Sequence, residues 1–143
     1  SARGGNAGDI YMSTRASVGA AWQPPTVLAE VSSASNDKWF MPCGAAGRYM
    51  IISNRDGVSS DLYEGTLGGG PPTQVAELNS AQNETGTFLT QDCLTIMFAS
   101  TRSGATLLYQ SHRTSTTTAS RRPSSAGSSA GRMCGPRSPG TRP

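Results

Sequence analysis

The chain alternates between short apolar runs and polar punctuation rich in glycine, proline and serine, and one such phrase is written out twice. Gly47-Arg48-Tyr49-Met50-Ile51-Ile52-Ser53-Asn54-Arg55-Asp56-Gly57 is echoed by Leu94-Thr95-Ile96-Met97-Phe98-Ala99-Ser100-Thr101-Arg102-Ser103-Gly104. In both, an unbroken apolar run is followed by Ser-x-Arg-x-Gly. Strict alternation of apolar and polar residues marks a strand with one wet face, whereas an unbroken apolar run of about four to eight marks a strand covered on both faces. Met50-Ile51-Ile52 and Met97-Phe98-Ala99 are therefore expected between two other layers. No window sustains a 3.6-residue apolar spacing, which predicts almost no helix.

The remaining elements fall into place around these two runs. Asp9-Ile10-Tyr11-Met12-Ser13-Thr14 reads as a strand, and Thr26-Val27-Leu28 as a second, which Pro24-Pro25 confines to a sheet edge because proline cannot donate to the ladder. Lys38-Trp39-Phe40-Met41 is a third strand, reached through a polar connection from Ser32 to Asp37. The cycle then restarts. Asp61-Leu62-Tyr63 repeats Asp9-Ile10-Tyr11, Thr73 to Leu78 follows the Gly68-Gly69-Gly70-Pro71-Pro72 turn, and Thr87-Phe88-Leu89 follows a second polar connection at 79–86. A third cycle opens at Leu107-Leu108-Tyr109, and Ser1-Ala2-Arg3-Gly4-Gly5 matches the end of the repeated phrase. Arg3, Arg55 and Arg102 are separated by 52 and 47 residues, and Tyr11, Tyr63 and Tyr109 by 52 and 46. A period near 50 residues with four short strands predicts an all-β fold of β-propeller blades, each a four-stranded antiparallel sheet. Boundaries between blades are expected near 5–8, 57–60 and 104–106. Two and a quarter repeats make an incomplete ring, which exposes blade faces and edges and favours self-association or a poorly stable monomer.

The order of apolar strand, Ser-x-Arg-x-Gly and Asp-(Leu/Ile)-Tyr resembles the repeat of TolB-type and WD-like bacterial propellers, over residues 1–111. Departures are the turns Ala46-Gly47 and Asp92-Cys93 in place of Asp-Gly, and Leu107 in place of the strand-opening Asp. The resemblance implies a non-enzymatic, protein-binding platform in the periplasm or outside the cell. It equally admits an accessory piece of a larger hydrolase, a peptidase or glycosidase whose catalytic residues lie outside this chain.

Composition divides the chain at one point. After Tyr109 there is no Val, Ile, Leu, Phe, Trp or Tyr. Residues 1–111 carry six basic residues against all nine acids, and residues 112–143 carry six arginines and no acid. The overall charge of +3 thus joins a basic tail to a mildly acidic body, and is no nucleic-acid footprint for the body. The body, 1–111, is expected to hold the core. The tail, 112–143, is expected to be disordered, since it offers almost nothing to offset the entropy of ordering, about 1–2 kcal/mol per residue. A shifted reading frame in a GC-rich gene gives such a composition from about residue 114 onward, which translation of the other two frames tests. No apolar stretch is long enough to cross a membrane as a helix, and the chain opens at Ser1 without the pattern of a signal peptide, so any such peptide is expected to have been removed or to lie upstream.

Candidate chemistry is sparse. The only histidine, His112, stands at the border of body and tail, so a Ser-His-Asp triad has no base within the body. Cys43, Cys93 and Cys134 follow no metal-ligand spacing. Buried free thiols are the expected state of Cys43 and Cys93, with a bridge between them the alternative in a secreted protein. Gly68-Gly69-Gly70 lacks the following Lys-Ser/Thr and helix of a phosphate cradle and reads as a hairpin loop. Asn36-Asp37 and Asp56-Gly57 read as turns rather than calcium ligands. Ser17 to Trp22 has the spacing of a sialidase-type turn without its acid, and Asn83-Glu84-Thr85 fits the glycosylation pattern. Arg55, Arg102 and Asp61 are expected to tie strand ends together by charge-assisted hydrogen bonds. Accordingly no catalytic, cofactor or metal residue is assigned, the chain is not expected to be an enzyme, and its expected partner is a protein.

Overall fold

The computed structural model describes residues 8–117 and 121–126. Ten strands make three antiparallel sheets: β1 (Tyr11–Met12) with β2 (Thr26–Val27); β3 (Asp37–Cys43), β4 (Arg48–Ser53), β5 (Asp61–Thr66) and β6 (Thr73–Gln74) in that order; and β7 (Glu84–Leu89), β8 (Thr95–Ser100), β9 (Leu107–His112) and β10 (Ser124–Ser125) likewise. No helix occurs among the described residues, as the absence of helical periodicity predicts.

The two larger sheets are built to one plan. Met41 pairs with Met50, and Ile52 with Leu62; Phe88 pairs with Met97, and Ala99 with Leu108. Each first strand is bulged, between Lys38 and Met41 and between Thr85 and Phe88. The glycines that end the repeated phrase close the central hairpins. Gly57 and Gly104 hold φ of 78° and 87°, and their N–H groups donate to Asn54 O and Thr101 O at 2.9 Å. Only glycine enters that left-handed region without a steric penalty.

Pleating divides the side chains of β4 between two cores. Met50, Ile52 and Leu62 meet Leu89, Ile96, Phe98 and Tyr109 of the second sheet. Tyr49, Ile51 and Tyr63 point the other way, against Val31, Ile10, Leu28 and Phe40. The unbroken apolar run of β4 is thus covered on both faces, as expected. The same expectation for β8 needs correction: Ile96, Phe98 and Ser100 are buried, while Thr95, Met97 and Ala99 between them are only partly so. No layer of the described residues lies on that second face.

Sheet boundaries also differ from expectation. Residues 57–60 and 104–106 lie within hairpins inside a sheet, and the chain passes from one sheet to the next at 28–36 and 75–83. A periodic pattern reads the same from any starting strand, and only the hydrogen-bond ladders cut it. The boundaries near 5–8 and Arg3 fall on or next to residues 1–7, outside the described residues.

The body does not stop at 111. His112 ends β9, Arg113 is buried, and β10 pairs with Tyr109 and Gln110 from within the expected tail. Ser111 Oγ donates to Arg121 O at 2.5 Å, and Ala126 N to Leu108 O at 2.8 Å. These contacts are backbone ladders and polar bonds, so a segment without large apolar side chains can make them. The expectation for 118–120 and 127–143, including Cys134, lies outside the described residues.

Tyr49 sets a local steric demand. Its buried ring lies across the ladder on Gly65, where an added Cβ would fall 2.5 Å from Oη. Gly65→Ala is therefore expected to cost about 1–3 kcal/mol, read as a lowered midpoint in urea. An unchanged midpoint would mean that the ring moves aside.

Candidate functional site

The most elaborate polar arrangement is made twice, 47 residues apart. Ser53 Oγ accepts from both the backbone N and Nε of Arg55, whose Nη2 donates to Val31 O and to Asp37 Oδ1, each at 2.7 Å. In the second copy Ser100 Oγ accepts from N and Nε of Arg102, whose Nη2 reaches Leu78 O at 2.5 Å and Glu84 Oε1 at 2.9 Å. Asp37 and Glu84 are buried and open the first strand of their sheets. A serine supports each carboxylate: Ser33 donates to Asp37 and Ser80 to Glu84. The guanidinium groups also cover aromatic rings, Arg55 over Tyr63 at 4.9 Å and Arg102 over Tyr109 at 4.8 Å and Phe98 at 5.2 Å. Each arginine thus locks its own sheet to the connecting loop before it, with Nε and Nη2 committed to protein acceptors.

The strand-tie expectation for Arg55 and Arg102 therefore holds in kind, with a different acid. Asp61 does not meet Arg55; Ser59 Oγ and Gln74 Nε2 donate to it at 3.1 and 2.5 Å. Burial, the leading cause, holds its carboxyl above the usual range against the lowering effect of those bonds. The acids that do the tying sit in the polar connections, and a signal for them existed. Ser33-Ala34-Ser35-Asn36-Asp37 and Ser80-Ala81-Gln82-Asn83-Glu84 are close copies at the 47-residue spacing. Asn36 and Asn83 repeat as well, their Oδ1 atoms accepting from Gly8 N and Ser60 N at 2.8 and 2.9 Å. Asn36-Asp37 and Asn83-Glu84-Thr85 thereby serve as strand entries.

Cys43 and Cys93 form a disulfide, with Cα atoms 5.4 Å apart, which corrects the free-thiol expectation. The end of β3 and the β7–β8 turn are brought together across the sheet interface, where Gly44 N also donates to Gln91 O at 2.7 Å. Cys93 holds a left-handed φ of 61°, and its carbonyl accepts from Arg113 Nε at 2.9 Å.

Arg113 then turns onto Glu64 with both terminal nitrogens, at 2.8 and 2.6 Å, and Arg48 approaches the same carboxylate at 3.5 Å. Hydrogen bonding to Glu64 leads the causes that raise the Arg113 pKa. Beside this cluster lies a polar cleft of about 300 Å³, lined by Arg48, Glu64, Thr66, Thr73 and the Gly69-Gly70-Pro71 loop. The loop's own bonds are those of a hairpin, Gly69 N donating to Thr66 O and Gly68 N to Glu30 Oε2.

His112 Nδ1 lies 3.1 Å from Thr95 Oγ1 on an exposed part of the second sheet. Asp92, nearby, is held below the usual carboxylate range, first by the hydroxyl of Thr90 and then by the Leu94 backbone N–H. Among the described residues no cluster of His, Cys, Asp or Glu is arranged to hold a metal ion. No described helix is long and apolar enough to cross a membrane.

Besides Cys93, one other non-glycine residue among those described holds a left-handed backbone. Trp39 adopts a φ of 56° within the β3 bulge and is 54% exposed. The position 47 residues on, in the β7 bulge, is Gly86 at φ 51°. A left-handed backbone costs a non-glycine residue about 1–2 kcal/mol, and Trp39 recovers little of that by burial. Its identity was legible in the sequence as a strand residue; its backbone conformation was not.

No protein-family model matches the chain, and neither a curated protein nor a solved structure is similar to it.

Proposed function

We propose that the chain is part of a propeller-type repeat module that binds another protein, without chemistry of its own, in the bacterial envelope or outside the cell. Two sheets of identical register support the repeat reading, stacked face to face and each locked by the same arginine, serine and carboxylate. In a propeller of the TolB or WD-like kind these sheets would be successive blades. The Cys43–Cys93 disulfide fits an oxidising compartment. Arginines held against buried carboxylates and backbone carbonyls in this way are built for rigidity rather than proton transfer.

The observation that carries the binding role is Trp39. Strained backbone at an exposed position is retained where it serves a contact, and exposed tryptophans are enriched at the centres of protein interfaces. Trp39→Gly should raise the unfolding free energy by about 1 kcal/mol, because glycine relieves the left-handed penalty at some entropic cost. The same substitution should abolish retention of the protein partner that immobilised wild-type chain captures from envelope extracts. Unchanged retention by the glycine variant would overturn the role given to Trp39. A variant that loses both stability and binding would show the tryptophan to be structural.

A further inference from the structure

The polar cleft beside Glu64 holds a charge that the fold leaves unspent. Arg113 takes both Glu64 oxygens, at 2.8 and 2.6 Å. Arg48 reaches the same carboxylate through Nη1 alone, at 3.5 Å, its one side-chain hydrogen bond or ion pair among the described residues. Two arginines thus face one carboxylate, and Arg48, which lines the cleft, keeps most of its donors for it. Glu77 also acts on Arg113 but lies outside the lining.

The repeat shows that these charges are no part of the shared scaffold. Arg48 pairs with Thr66 and Met50 with Glu64; the matching pairs of the second sheet are Thr95 with His112 and Met97 with Gln110. Uncharged residues close the same ladder at the positions of Arg48 and Glu64. The cleft is also open. Thr66, Thr73 and the Gly69-Gly70-Pro71 loop make its other walls, and an added Cβ at Gly70 would meet nothing within 4 Å. The second sheet, which covers this face further along β4 and β5, is already in place, so a sheet stacked beyond it would leave the cleft free.

We propose that this cleft binds the carboxylate of a ligand, with Arg48 as the group that grips it. A guanidinium fork matches a carboxylate in bidentate geometry, and the hydroxyls of Thr66 and Thr73 supply further donors on the lining. Charge narrows the class. One positive charge in excess answers a single negative one, and Glu64 on the same wall opposes a second. The ligand is a singly charged carboxylate, either a small free acid or the chain end of a peptide. The inference stands on this cleft and does not depend on the role of Trp39.

Titration of the isotope-labelled full chain with N-acetylglycine, followed by NMR, tests it, with N-acetylglycinamide as the uncharged match. The acid should shift the Arg48 Nε–H and the backbone N–H groups of Gly70 and Thr73, saturating in the millimolar range, and the glycinamide should shift none of them. Sulfate, doubly charged, should bind at least tenfold more weakly. Arg48→Gln should weaken the acid at least tenfold at an unchanged urea midpoint. Thr73→Glu, at an exposed position, places a competing charge in the cleft and should weaken it as much, which keeps the test valid if Arg48→Gln disturbs folding. Tighter binding of N-acetyl-triglycine than of acetate assigns the site to a chain end; equal or weaker binding assigns it to a small free acid. Shifts that fail to saturate, that the glycinamide shares, or that survive both substitutions overturn the inference. So does sulfate that binds as tightly as the acid.

Discussion

Replacing Glu84 with alanine is expected to remove about 3–5 kcal/mol from the unfolding free energy, the usual cost of breaking a buried ion pair by deleting one partner. Glu84 is fully buried and its Oε1 accepts from Ser80, Ser100 and Arg102. Deleting the carboxylate leaves three donors facing a cavity, one of them charged and only partly reached by water. Arg102 then loses the contact that fixes its plane over Phe98 and Tyr109, so the damage extends into the core between the sheets. Asp37→Ala should behave alike, since Arg55 and Ser33 hold Asp37 in the same way. Urea unfolding of wild type and both variants checks this. A loss below about 1 kcal/mol, the worth of a solvated surface pair, would mean that water reaches the carboxylate.

Opening the disulfide is the second large effect. Cys43 and Cys93 close a loop of 50 residues, for which chain entropy gives about 4 kcal/mol, within the usual range of about 2–5 for loss of a native bridge. The bridge also ties the end of β3 to the turn between β7 and β8, so it acts on the contact between the sheets as well as on the unfolded chain. The double variant Cys43→Ser, Cys93→Ser, or wild type with dithiothreitol, should unfold at markedly lower urea concentration. Adding dithiothreitol to the serine variant should change nothing more. A wild-type midpoint indifferent to reductant would show the two thiols to be unbonded.

Several features of the site were legible at the level of single residues. Arg55 and Arg102 announced their role through a repeated position two residues after Ser53 and Ser100, and both do tie strands together. Their acids were harder to find, because Asp37 and Glu84 differ by a methylene and sit in connections that read as polar linkers. Asp61, nearer in sequence and opening a strand, was the plausible partner, yet it faces Ser59 and Gln74. Trp39 gave no sign at all, since a strained φ leaves no trace in composition or periodicity.

Local properties of the chain were enough to set the strands up to β9 and the turns that glycine allows, because each depends on neighbours a few residues away, and the repeat of those phrases showed the 47-residue spacing. They were also enough to exclude helix. β10, in a segment without large apolar residues, was not legible. The starting strand of each sheet, the Cys43–Cys93 bridge, the partners of the arginines and the uncovered face of β8 were decided by tertiary structure alone. Each depends on which distant segments meet. Met50-Ile51-Ile52 and Met97-Phe98-Ala99 show the limit most plainly: two like runs, one enclosed and one half open, distinguished only by what lies beside them.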